Sequence, residues 1–166
     1  SSYAAYLAWW KSVVYVSGDG VARQSQMVQS VDVTDPTALT FLSGWRTCCY
    51  RKNDIRVVED ILYIAGWGTM LHVFDVSNPH KPKQIYEKKI GSQLNMVSQS
   101  WDGKRLYYTS SLLANWDKTG EDNEQFLKAF TWDGKELTER FAIDFTAEQL
   151  GRPHIMRFGA RSLYAS

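Results

Sequence analysis

Two strand-and-turn phrases occur twice in this chain: Val14-Tyr15-Val16-Ser17-Gly18-Asp19 is echoed by Leu62-Tyr63-Ile64-Ala65-Gly66-Trp67, and Val31-Asp32-Val33-Thr34-Asp35-Pro36 by Phe74-Asp75-Val76-Ser77-Asn78-Pro79. Self-similarity at a period of roughly forty to fifty residues marks an array of small antiparallel sheets, most often a β-propeller, because each unit buries its apolar faces only against its neighbours. The expected fold class is therefore all-β, a β-propeller of about three blades plus the start of another.

The blades are expected at 12–44, 45–92 and 93–145, with final strands in 153–166. In the first, Ser12 to Ser17 reads as a strand, Gly18-Asp19-Gly20 as a turn, and Met27 to Val33 and Leu39 to Ser43 as further strands. The second runs Ile61 to Ala65, a Gly66-Trp67-Gly68-Thr69 turn, Met70 to Val76, and Gln84 to Ile90. Pro79 and Pro82 cannot donate to a ladder, which confines Asn78 to Lys83 to a loop. The third uses Asn95 to Gln99 and Arg105 to Ser110 around Trp101-Asp102-Gly103-Lys104. After an inserted loop over Leu112 to Glu124, Phe126 to Thr131 and Leu137 to Phe145 flank Trp132-Asp133-Gly134-Lys135. Asp-Gly is the hairpin signal in both. Thr146 to Arg152 is expected as one helical turn or a loop.

Three or four blades do not close a ring, so an arc of 166 residues leaves two blade faces uncovered. The chain is expected to be part of a longer polypeptide; it begins Ser1-Ser2-Tyr3, and Tyr3 to Trp10 lacks the cationic start of a signal peptide. With 19 basic against 18 acidic residues, scattered, no electrostatic footprint for nucleic acid stands out. No apolar stretch reaches the roughly 20 residues of a bilayer span, so neither nucleic acid nor membrane insertion is expected. Cys48 and Cys49 are adjacent, and their Cα separation of about 3.8 Å falls below the usual disulfide range, which makes a bond between them strained. They read instead as two small half-buried residues of a strand.

Leu62-Tyr63-Ile64-Ala65-Gly66-Trp67-Gly68, then Val73 to Pro79, Met96-Val97-Ser98, Asp102 to Tyr107, Ser110-Ser111-Leu112, Trp116-Asp117, Ile143-Asp144-Phe145 and Pro153-His154 form an ordered series. In order and spacing it resembles the C-terminal part of the selenium-binding protein family, over about Trp45 to Ser166. Bacterial members of that family are copper-dependent methanethiol oxidases. The resemblance implies a ring of seven blades in the intact protein and copper as cofactor. It also implies a small thiol and oxygen as reaction partners, and a periplasmic location. A homo-oligomer stays open. The implied reaction turns methanethiol, oxygen and water into formaldehyde, hydrogen sulfide and hydrogen peroxide. The family's paired metal-binding histidines and reactive cysteine belong to N-terminal segments without a counterpart here.

Within that frame His154, just after Pro153, is the candidate metal ligand, since neutral imidazole is the commonest one. Met156 would share its strand face and offer a soft thioether. An isoleucine, Ile155, stands where the family more often has an acidic residue. Trp67 and Trp116 are the candidate substrate-binding residues: both follow Leu-Tyr strands, and aromatic walls at a propeller mouth suit a small apolar thiol. Ring packing between blades is the competing reading for both. His72 reads as a solvent-facing or inter-blade residue and His80 as a surface one. No catalytic residue is assigned, and no phosphate loop, Ser-His-Asp order or zinc spacing occurs. The rival to the oxidase is a non-catalytic propeller that binds ligands or proteins. A quinoprotein propeller lacks its repeated tryptophan docking motif here.

Overall fold

The computed structural model describes residues 2–20, 27–47, 52–66, 70–91, 94–110 and 125–155. They build three four-stranded antiparallel sheets, and no helix occurs among them. The first sheet takes β1 (Ser2–Trp10), β2 (Val13–Gly20), β3 (Met27–Asp32) and β4 (Thr40–Arg46). The second takes β5 (Lys52–Val58), β6 (Ile61–Gly66), β7 (Met70–Asp75) and β8 (Lys83–Lys89). The third takes β9 (Met96–Gln99), β10 (Arg105–Thr109), β11 (Phe126–Trp132) and β12 (Leu137–Asp144). Strands are ordered in space as in sequence, the meander of a propeller blade. The innermost strands touch in series, β1 beside β5 and β5 beside β9.

The repetition is atomic as well as topological. Val33 N donates to Ser12 O (2.8 Å), Val76 N to Asp60 O (2.8 Å) and Trp132 N to Lys104 O (3.0 Å), closing the same corner in each sheet. A bulge falls between the third and fourth strands of all three, at Ser30/Val31, Val73/Phe74 and Ala129/Phe130. Such bulges add local twist, which sheets stacked around an axis require.

Burial explains the sequence patterns. β6 is buried without a break from Leu62 to Gly66 because both faces of the middle sheet are covered. Leu62 and Ile64 meet the first sheet in a core with Val13, Tyr15, Val28, Ile55 and Phe74. Tyr63 and Ala65 meet the third in a core with Leu71, Val97, Leu106, Tyr108 and Phe130. A strand covered on both faces reads as a continuous apolar run, whereas β2 alternates because only one of its faces is covered. On β1 the same alternation buries Ala8 and leaves Leu7 and Trp9 exposed.

Several local expectations change. The first sheet begins at Ser2, ahead of position 12, and extends through Trp45 and Arg46. Gly18-Asp19-Gly20 continues β2 rather than turning. The innermost strand of the second sheet, Lys52–Val58, was not anticipated; its polar start hides it. Residues 153–155 are not in a strand, and the rest of 156–166, the inserted loop over 112–124, and Cys48 and Cys49 lie outside the described residues. The stretch after β12 forms one closed turn: Asp144 Oδ1 accepts from Thr146 N (2.9 Å) and Ala147 N (3.0 Å), and Leu150 N returns to Phe145 O (2.9 Å). Gln149, with φ 54°, ends it in the left-handed region that such a closure uses.

Candidate functional site

The meander gives the sheets two unlike ends. At one, which we call the turn end, short returns are closed by side-chain carboxylates and amides bonding backbone N–H groups two residues on. Asp32 bonds Thr34 N (2.8 Å), Asp75 bonds Ser77 N (2.9 Å), Asn78 bonds His80 N (3.0 Å) and Asp133 bonds Lys135 N (2.8 Å). These are Asx turns, which need no partner elsewhere. At the far end lie the strand ends Gly20 and Met27, Gly66 and Met70, and Ser110 and Gln125, with the segment after β12 beside the last of these. Ligand sites gather on loops held by a rigid scaffold, so the far end is the candidate site.

Trp67 and Trp116 lie outside the described residues. The strand ends that bracket them, Gly66 and Met70, Ser110 and Gln125, all belong to the far end. His154 is there too: its carbonyl accepts the Thr109 hydroxyl at the tip of β10, Pro153 before it is buried, and its imidazole is exposed. Met156 is outside the described residues. His72 is not solvent-facing. It is fully buried on β7, with Nδ1 3.7 Å from Glu87 Oε2. His80 stays on the surface, at the turn end.

Around the His154 carbonyl the third sheet ends in buried polar groups. Asn95 N donates to Thr109 O (2.9 Å), Ser110 Oγ accepts from Phe126 N (2.8 Å), and Phe145 N donates to Gln125 O (2.7 Å). Beside them Gln125, Phe145, Thr146, Gln149, Gly151 and Arg152 line a cleft of about 500 Å³. It has one aromatic wall, Phe145, and is otherwise lined mostly by polar side chains.

Sequence reasoning missed Asp54. A bulge between Lys52 and Asp54 turns this carboxylate into the seam between the second and third sheets, where it is 2% exposed. Its Oδ1 accepts from Ile55 N (2.9 Å) and Arg56 Nη1 (2.7 Å), and its Oδ2 from Val97 N (3.2 Å) on β9. Burial raises its pKa, outweighing Arg56 and the donated amides, which pull it down. Tyr108, fully buried on the strand next to β9, has its own pKa raised well above the ordinary value, by burial first and then by Tyr63 and Asp54.

That shift has a testable sign. The folded-state value lies above the unfolded value near 3.8, so the folded protein takes up this proton first as pH falls. The Asp54 contribution to stability is therefore fully present below 3.8 and is lost as pH rises through the raised folded value. Asp32, Asp75 and Asp102 act oppositely: hydrogen bonds from Thr34, Ser77 and Ser100 lower their values, and what they contribute is lost as pH falls below 3.8. We expect Asp54→Asn to be less stable than the parent at neutral pH, since its single acceptor oxygen serves either Ile55 and Arg56 or Val97 while its NH2 faces the other donor. Its stability relative to the parent should decline as pH drops from 7 toward 4. Thermal melts showing a constant difference across that range would contradict the raised pKa.

Among the described residues no three His, Cys, Asp or Glu side chains converge as a group able to hold a metal. His154 is thus one candidate ligand, and the described residues alone do not make up a copper site.

The LVIVD repeat family matches residues 52–86, from β5 into β8. Over 94 residues the chain is 68% identical to a methanethiol oxidase of Ruegeria pomeroyi, covering 57% of this chain and 22% of that protein. It is 56% identical over 89 residues to a methanethiol oxidase of Hyphomicrobium, covering 54% and 20%. The chain therefore spans about a fifth of the length of these curated relatives. The solved structure of a hypothetical selenium-binding protein from Sulfolobus tokodaii superposes with a TM-score of 0.63 at 18% identity, over 81% of this chain and 39% of that one, a likeness of fold. No helix among the described residues is long and apolar enough to cross a membrane.

Proposed function

We propose that this β-propeller chain, a relative of the methanethiol oxidases and selenium-binding proteins, belongs to an oxidoreductase that consumes a small thiol and oxygen. The observation that carries the reading is the 68% identity to a bacterial methanethiol oxidase over 94 residues. The balanced reaction is methanethiol, oxygen and water giving formaldehyde, hydrogen sulfide and hydrogen peroxide, with the carbon oxidised and oxygen reduced by two electrons. Copper is the proposed cofactor and the periplasm the proposed compartment. When bound, copper would supply the redox chemistry between thiol and oxygen, since soft thiolate and imidazole both suit it. Ligands beyond His154 would come from outside the described residues.

The chain's own contribution is to hold the far end. The hydroxyl of Thr109 fixes the His154 backbone to the end of β10, where the residue is exposed. Trp67 and Trp116 are the proposed substrate-binding residues, since aromatic side chains suit a small apolar thiol.

The test is thiol-dependent oxygen uptake and peroxide release by the purified full-length protein, with metal analysis alongside. Substituting His154→Ala is expected to lower copper content and turnover together, by roughly tenfold or more, with the fold unchanged. Normal copper occupancy and turnover in that variant would remove His154 from the site. A copper-loaded parent protein with no thiol-dependent oxygen uptake would favour the non-catalytic binding module.

A further inference from the structure

We infer that Asp54 is a positioning residue: across the seam between the second and third sheets it holds the strand pair that carries the His154 segment. The functional half of this inference rests on reading the far end as the active end; the structural half stands alone.

β9 is an edge strand, paired with β10 only, so amides on its other side need acceptors from elsewhere. The Val97 amide finds one in Asp54 Oδ2 at 3.2 Å, a side chain of a different sheet. Val97 is the register partner of Tyr108, and the next rung pairs Met96 with Thr109. Thr109 is the residue whose hydroxyl holds the His154 carbonyl. Three steps thus lead from the innermost strand of the second sheet to the candidate ligand: carboxylate to Val97, one rung along β9 and β10, hydroxyl to His154.

The carboxylate is itself held in place. Ile55 N and Arg56 Nη1 both donate to Oδ1, which leaves Oδ2 directed to Val97. Around it β5 contributes the Arg56 guanidinium and β10 the Tyr108 phenol, while the contribution of β9 is the Val97 amide. The Tyr108 hydroxyl is buried and finds no hydrogen-bond partner among the described residues. An asparagine here would still offer one acceptor oxygen, whereas an alanine would offer none.

The experiment compares Asp54→Ala, Asp54→Asn and Thr109→Val in the full-length protein by amide hydrogen exchange, backbone NMR shifts and thiol oxidation kinetics. We expect Asp54→Ala to speed exchange at Val97 and Thr109 by at least tenfold. It should also shift the Ile155 amide, which shares a peptide group with the His154 carbonyl. Asp54→Asn, whose single acceptor oxygen cannot serve both donor sets, should show smaller changes of the same kind. Thr109→Val should shift the Ile155 amide while leaving Val97 protected. Turnover number should follow the Ile155 shift across the three variants, with KM for the thiol little changed. An Ile155 amide that does not respond to Asp54→Ala would overturn the inference and leave Asp54 as a brace of the seam alone. If Asp54→Ala does not fold, the same readings on Asp54→Asn and Thr109→Val decide. A parent protein inactive toward thiols but showing the expected exchange and shift pattern would sink the oxidase reading and leave the positioning path intact.

Discussion

Replacing Phe130 with alanine is expected to cost about 3–5 kcal/mol of stability, among the largest effects of any single side-chain truncation in this chain. Phe130 is 1% exposed and sits on β11, in the core shared by the second and third sheets. Its ring meets Tyr108 edge-on with centroids 5.7 Å apart, an arrangement that adds to the plain burial of area. On another side the Lys88 ammonium lies 5.6 Å from the ring centroid and donates to Leu137 O (3.2 Å), so one lysine of β8 reaches across to the third sheet. Truncation would leave a cavity walled by Tyr108, whose hydroxyl finds no partner among the described residues. The surrounding sheet can collapse little, because its strands are held by ladders on both sides. Phe141 on β12, 45% exposed and 6.4 Å from Tyr107, is the control, with an expected loss below about 1 kcal/mol. Denaturant melts of the two variants check this, and equal losses would show that the seam between the second and third sheets is not where stability is concentrated.

The middle of each sheet was legible in the sequence because two independent signals coincide there. β6 and β10 each combine an apolar-tyrosine-apolar run with a turn at a fixed distance, and the Asp-Gly and Asp-Val-Ser-Asn-Pro returns announce the turn end by local hydrogen bonding alone. The innermost strands β1 and β5 carry neither signal. The first is an aromatic-rich stretch with no turn residue before it, and the second opens on Lys52-Asn53-Asp54, whose polarity belongs to a bulge and a buried bridge rather than to a loop. Burial of Asp54 depends on a partner amide 43 positions away in the chain, which no local pattern encodes. His154 could be picked out because Pro153 and the family resemblance mark it. What the sequence could not show is that its backbone is held by Thr109, since that contact spans 45 positions.

The two Trp-Asp-Gly-Lys returns of the third sheet allow a prediction in which sequence is held constant and surroundings differ. Gly103 and Gly134 both follow an aspartate whose carboxylate bonds the lysine amide beyond, at 3.1 Å for Asp102 and 2.8 Å for Asp133. Both adopt positive φ, +72° and +98°, where an L side chain costs roughly 1–2 kcal/mol. At Gly134 a Cβ would meet nothing within 4 Å, so Gly134→Ala should cost little more than that conformational term. At Gly103 the same Cβ would fall 2.9 Å from Val58 Cγ1, a contact that real side chains do not make. Val58 closes β5 of the second sheet and its β-branched side chain has few other rotamers, so relief requires the third sheet's turn to move away from the second. Overpacking of this kind adds about 1–3 kcal/mol, which puts Gly103→Ala at about 2–5 kcal/mol. Since the extra cost is a contact, it should disappear when the contact does. In a Val58→Ala background the Gly103→Ala loss is expected to fall to that of Gly134→Ala, with a coupling of at least about 1 kcal/mol in the double-mutant cycle. Equal losses for the two glycines in the parent background, or a cycle with no coupling, would mean that the third sheet does not pack this closely on the second at the turn end.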